Sequence, residues 1–323
     1  MEFARSFSGG GGERGTVSSQ PETWERDTLG HGLGVTSVIL GFRYNLSDPP
    51  LPMTFNGVAP KATVIPVKRA TWYSTVTRAL VYLTDLKVDG HLGNSPLVIN
   101  SSGGGSADDL VRAAIDYAIA HGVVLVSPAG NSGTDGMIFP ARYAPVISAG
   151  AAGWVGWFSP EDPTLIQWIL NDVAEGDPSQ HFVTRFSAWE LPGQDLDVLA
   201  PGNFVPVPGS FGGGGVGIVD YTFGGGTSTA SPHVAGIAAL MLQKNPGLTA
   251  AQIEQILENT ALPLPPGCRN IRVAESGPGH RWSFRFLDLV NISLFDATVC
   301  WNASPAGHGL AQADAALAAT PLP

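Results

Sequence analysis

Three short, mostly apolar runs limit what this chain can fold into: Ala62–Val67 (ATVIPV), Pro96–Asn100 (PLVIN) and Val123–Val126 (VVLV). Each is bounded by Gly, Pro or Ser, is too short for a helix, and is apolar at successive positions, the pattern of a strand covered on both faces. Strands buried on both sides belong to parallel sheets, whose crossover connections place helices over the two faces. The predicted fold is therefore α/β, a mostly parallel sheet with helices on both faces.

The intervening sequence supplies the helices. Ser106 is placed to cap a helix with Asp109 at its third position, with Leu110, Val111, Ala114, Ile115 and Ala118 on one face and Gly122 as its stop. A second helix is predicted from Ser228 towards Gln243. Its Val234, Ile237, Leu240, Met241 and Leu242 surround the axis, which makes it a buried central helix. A third starts at Thr249, where Gln252 completes a capping box and Ile253, Ile256 and Leu257 face inward.

Two stretches break this alternation. Residues 1–26, with the Gly9–Gly12 run and little apolar periodicity, are expected to be a flexible segment. The rest, 27–323, is expected to be one domain, in which residues 153–185, with their Trp, Pro and Asp clusters, form a surface insertion.

Composition excludes some classes of function. With 17 Lys+Arg against 27 Asp+Glu the formal charge is −10, and no basic run offers a surface for nucleic acid. No segment has the length and apolarity of a membrane span, and the first residues lack the basic and apolar regions of a signal peptide. No His, Cys or carboxylate spacing indicates a metal, and no cofactor is implied; the Gly212–Gly215 and Gly224–Gly226 runs lack the Lys-Ser/Thr ending of a phosphate loop. Cys268 and Cys300 are either one disulfide or two buried thiols. Asn45, Asn291 and Asn302 stand in N-x-S sequons.

The chemistry is concentrated in three segments. Gly226-Thr227-Ser228-Thr229-Ala230-Ser231-Pro232-His233-Val234-Ala235-Gly236 delivers a serine to the first turn of a helix, where backbone N–H groups and the positive dipole end favour a developing oxyanion. A lone serine there would read as an N-cap. Gly30-His31-Gly32 puts a histidine at a loop-to-helix junction between glycines. Val123–Asn131 is an apolar strand ending in Ser127-Pro128-Ala129-Gly130-Asn131, with an amide at its C-terminal end.

Together these segments resemble the histidine, oxyanion-asparagine and serine motifs of the subtilase family of serine peptidases, in the same order along the chain. Further segments are similar: Val98-Ile99-Asn100-Ser101-Ser102-Gly103-Gly104, Gly57–Ala62, Phe139–Tyr143, Leu196–Gly202 and Gly307–Ala316. The resemblance covers nearly all of the chain after Asp27 and implies a three-layer subtilisin-like fold. It implies a serine endopeptidase with Ser228 as nucleophile, His31 as general base and then acid, and Asn131 beside the Ser228 N–H as oxyanion donor. Ser102, Gly103 and Gly104 would pair with an extended substrate, with Ala129 and Gly130 beside them. His233, within the serine motif, reads as a hydrogen-bonded core residue. A peptide or protein substrate, a monomeric state and an extracellular location are also implied.

One departure stands out. Subtilases carry an aspartate at the end of an early apolar strand, and no such strand is read here. Before His31 the only aspartate is Asp27, in a loop position often acidic but outside the triad, and Glu13-Arg14-Gly15 follows only glycines. Leu33 and Gly34 also stand where the family usually has Thr and His. Loss of the aspartate costs on the order of 10⁴ in kcat. Two expectations follow: an N-terminally incomplete chain of an active peptidase, or an inactive homologue that binds peptides or regulates.

Overall fold

The computed structural model describes residues 2–9, 17–20, 30–45, 52–69, 73–157, 176–209, 220–276 and 292–323. In chain order these form β1 (Arg5–Gly9), β2 (Val17–Gln20), α1 (His31–Leu40), β3 (Gly41–Asn45), β4 (Pro52–Asn56), β5 (Val67–Arg69), α2 (Tyr73–Val88) and β6 (Val98–Asn100). There follow α3 (Asp109–Ala120), β7 (Val124–Pro128), β8 (Ile147–Trp154), β9 (His181–Val183), β10 (Val198–Pro201), β11 (Val205–Gly209) and β12 (Asp220–Gly224). The chain closes with α4 (Thr227–Lys244), α5 (Ala250–Thr260), β13 (Gly267–Ser276), β14 (Ile292–Trp301) and α6 (Ala313–Ala319).

The central sheet runs β10-β8-β7-β6, all parallel, with β9 antiparallel on β8. Its two faces can be read from β7. Val124 and Val126 join Ile147, Val198, Val234, Met241, Ile253 and Leu257 in one core, against α4 and α5. Val123 and Leu125 join Leu80, Leu83, Val111 and Ile115 in another, against α2 and α3. The period-2 alternation of a strand thus feeds two cores, and this gives the three layers predicted. Each such side chain moved out of water contributes about 1.5–3 kcal/mol.

Most helix signals hold. α5 begins at a Thr249 cap with its Gln252 capping box, and α4 is buried along most of its length. The cap of α3 is displaced from Ser106: Asp108 accepts hydrogen bonds from the Leu110 and Val111 amides, because a carboxylate directly before the first turn is a better placed acceptor than a hydroxyl two residues earlier. Ala62–Val67 is strand only from Val67 onward.

The flexible segment expected over residues 1–26 instead contributes β1 and β2. β1 pairs antiparallel with β2 and parallel with β5, Phe7 opposite Arg69. Ala4 and Phe7 are each 2% exposed, and Phe3 and Val67 pack on the α2–α3 core. Two aromatic anchors within five residues suffice to dock a strand too short to show periodicity. Asp27 and Glu13 lie outside the described residues, as do 158–175 of the expected insertion. At its described flanks Gly153 pairs with Phe182 and Trp154 with His181, and Phe182 and Val183 are buried.

Cys268 and Cys300 are disulfide-bonded across β13 and β14, which resolves the alternative left open by the sequence. No described helix is long and apolar enough to cross a membrane.

Candidate active site

Ser228 is the second residue of α4, half-buried, behind a helix start at Gly226. The first amides of a helix have no intrahelical acceptor, so the Ser228 N–H points out of the helix end. Gly226 holds φ at 134°, and a Cβ there would lie 3.4 Å from Asn131 Nδ2, so only glycine fits without strain.

Asn131 follows β7 and is exposed. Its Oδ1 accepts hydrogen bonds from Thr227 N and Thr227 Oγ1, both at 2.9 Å. A backbone N–H can only donate, so the amide orientation is fixed: the oxygen faces Thr227, and Nδ2, 3.4 Å from the position of a Cβ at Gly226, is the donor end. Thr227 Oγ1 in turn accepts from Gly130 N at 3.1 Å. Thr227, read in the serine segment only as part of the step that delivers Ser228, is the joint between the two motifs.

His31 is the first residue of α1, exposed, after Gly30 in the left-handed conformation (φ 68°). α1 packs against α4. A Cβ at Gly34 would meet Val207 Cγ2 at 3.4 Å, and one at Gly224 would meet Val207 Cγ2 at 3.4 Å and Thr229 Cγ2 at 2.9 Å. Gly34, three residues after His31, and Gly224, four residues before Ser228, therefore border the same valine. Further along, Val58 donates its N–H to Val38 O and would collide with a Cβ at Gly236. These contacts place the first turn of α1 near the start of α4, and the stretch around Val38 near Gly236.

Ser102, Gly103 and Gly104 leave β6 towards this end. Ser102 Oγ donates to the Ser228 carbonyl at 2.9 Å. A Cβ at Gly104 would lie 2.3 Å from Phe139 O, so the position requires glycine. Ala129 and Gly130 are buried, and their backbone groups are used internally: Ala129 N donates to Ala149 O, and Gly130 O accepts from Ala188 N. They can form a wall, not a hydrogen-bonding edge. His233 donates from Nδ1 to Thr229 O, and burial pushes its pKa down to about 4, so it is a neutral core imidazole.

The structure also assembles a group that spacing concealed. Asp195, Asp197 and Glu258 each bring a carboxylate oxygen within 4.8 Å of the others, and His308 Nε2 is 3.6 Å from Glu258. Asp197 Oδ2 accepts from Ser148 N and Oγ, while burial pushes its pKa up to about 8. Burial also raises the pKa of Glu258, and it pushes that of Glu254 up to about 7.

Known proteins resemble the chain in sequence and in fold. The sequence pattern of the Subtilase family matches residues 13–286. Subtilisin DY of Bacillus licheniformis is 30% identical over 250 residues, 74% of this chain and 73% of that protein. Subtilisin E of Bacillus subtilis is 32% identical over 210 residues, 64% of this chain; the chain spans under half of that relative, 45%. Among solved structures, a protease of Pseudoalteromonas arctica superposes with a TM-score of 0.56 at 22% identity, covering 90% of this chain and 71% of that one. Sphericase superposes at 0.54 with 24% identity, covering 80% and 75%. At these identities the two structures speak for the fold.

Proposed function

The chain belongs to the subtilase family of serine peptidases, and on that premise we propose that it hydrolyses peptide bonds through an acyl-enzyme on Ser228. The observation that carries the reading is the anchoring of Asn131 Oδ1 by Thr227 N and Oγ1, which keeps the Nδ2 donors out of that bond and beside the start of α4, where Ser228 lies. Two donors at a helix N-terminus suit an oxygen that gains charge as a carbonyl becomes tetrahedral.

In this reading Ser228 Oγ attacks the carbonyl carbon while His31 takes its proton, and the C–O bond forms as the carbonyl electrons move onto oxygen. The oxyanion is held by Asn131 Nδ2 and Ser228 N–H. Collapse breaks the C–N bond, and His31 returns the proton to the leaving amine. Water, deprotonated by His31, then releases the acyl group. An extended peptide or protein would lie along Ser102–Gly104 by strand addition. The Cys268–Cys300 disulfide suits an extracellular location.

A serine-reactive phosphonate followed by peptide mass mapping tests the assignment. The expected label is on Ser228, abolished by Ser228→Ala. Label on another residue, or none on the folded chain, contradicts it and favours a peptide-binding homologue without turnover.

A further inference from the structure

α4 contains a proline, Pro232, four residues after Ser228. In an α-helix the carbonyl of residue 228 accepts from the amide of residue 232, and proline has no N–H to give. The carbonyl of the proposed nucleophile therefore lacks its helical donor. Ser102 Oγ, from the end of β6, supplies one at 2.9 Å.

The donor is itself held in a directional chain. Asn100 Nδ2 donates to Ser102 Oγ at 2.9 Å, which leaves the single Ser102 hydroxyl proton for Ser228 O. Ser231 Oγ donates to Asn100 Oδ1; with the amide flipped, Ser102 would have to donate to Asn100 and could no longer donate to Ser228 O. Ser231 lies on α4, three residues after Ser228. The chain thus leaves the helix at Ser231 and returns to it at Ser228, fastening the first turn of α4 to the sheet at two points.

We propose that Asn100, Ser102 and Ser231 are positioning residues for the Ser228 peptide unit: they replace the hydrogen bond that Pro232 removes and so fix the backbone that carries both the nucleophile and one oxyanion donor. This rests on the reading of Ser228 as nucleophile. It gives Ser102 a role beyond lining the substrate edge, and it gives Pro232 a reason: with no competing amide, the carbonyl is set by the sheet rather than by the helix.

The test measures the rate constant of phosphonate labelling and the kcat and KM of peptide hydrolysis, with thermal unfolding alongside. Ser102→Ala should slow labelling and kcat about tenfold, the scale of one hydrogen bond lost without replacement, with KM nearly unchanged. Ser102→Thr, which keeps the hydroxyl, should recover most of the loss. Adding Pro232→Ala to Ser102→Ala restores an amide at position 232 and should also recover labelling. Labelling of Ser102→Ala within twofold of the parent overturns the proposal, as does a loss in KM alone or one that Pro232→Ala fails to repair. No label on the parent chain overturns the nucleophile assignment and this inference together, while a labelled parent with an unaffected Ser102→Ala overturns this inference alone.

Discussion

The two helices that carry the proposed nucleophile and base are held in place differently. The first turn of α4 is stitched by side-chain hydrogen bonds to the ends of β6 and β7, at Ser102, Asn100 and Asn131, partners 96 to 131 residues away along the chain. The first turn of α1 is set by a left-handed glycine, Gly30, and by the contact of Gly34 with Val207 and Pro208. β1, the strand parallel to β5, reads Arg5-Ser6-Phe7-Ser8-Gly9 and carries no carboxylate. The oxyanion and nucleophile side is thus preorganised by directional bonds. Electrostatic preorganisation at the oxyanion is commonly the largest single contribution to acyl transfer.

The comparison is sharpened most by Asn131. Asn131→Ala should lower kcat by about 10²–10³, the scale of one oxyanion donor, and leave the shape of the pH–rate profile unchanged, since the profile belongs to the histidine half. Asn131→Asp keeps an acceptor for Thr227 N but removes the donors. Equal losses in the two variants, read in steady-state kinetics, assign the effect to the donors, and a reshaped pH profile would break the division into halves.

A smaller effect separates stability from chemistry. Asp197 has its pKa raised from 3.8 to about 8 in the folded state, and Glu254 is pushed up to about 7, each chiefly by burial. A folded pKa above the unfolded one means that the native state holds protons the unfolded chain releases. That stabilisation is complete below about pH 4 and is lost as pH rises towards 8. The Tm should fall between pH 5 and pH 8, and Asp197→Asn should flatten the fall, checked by calorimetry. A Tm that is flat or rising in the parent, or a slope unchanged in the variant, contradicts this.

What the sequence made legible follows from locality. α5 announced itself because Thr249 and Gln252 complete each other within one turn, and β6 and β7 because double burial leaves continuous apolar runs. The order of the histidine, asparagine and serine segments pointed to the site because each motif is short and self-contained. β1 was missed because its anchoring comes from Phe7 meeting Tyr82 of α2 and from Phe3 on the α2–α3 core, not from any pattern within it. The Asp195–Asp197–Glu258 group was invisible because β10 and α5 meet only in the folded molecule. The Ser102–Ser228 bond had a signal that went unread: a proline four residues after a helical serine leaves a carbonyl that some other element must satisfy.

The central claim is that Ser228 Oγ, Asn131 Nδ2 and the His31 imidazole surround one reacting carbon. A crystal structure of the phosphonate adduct tests it most directly. The account predicts phosphorus bonded to Ser228 Oγ, its phosphoryl oxygen within about 3.2 Å of both Asn131 Nδ2 and Ser228 N, and a His31 ring nitrogen in hydrogen-bond reach of the serine oxygen. A phosphoryl oxygen directed away from Asn131, or a His31 ring beyond reach of the adduct, would contradict it.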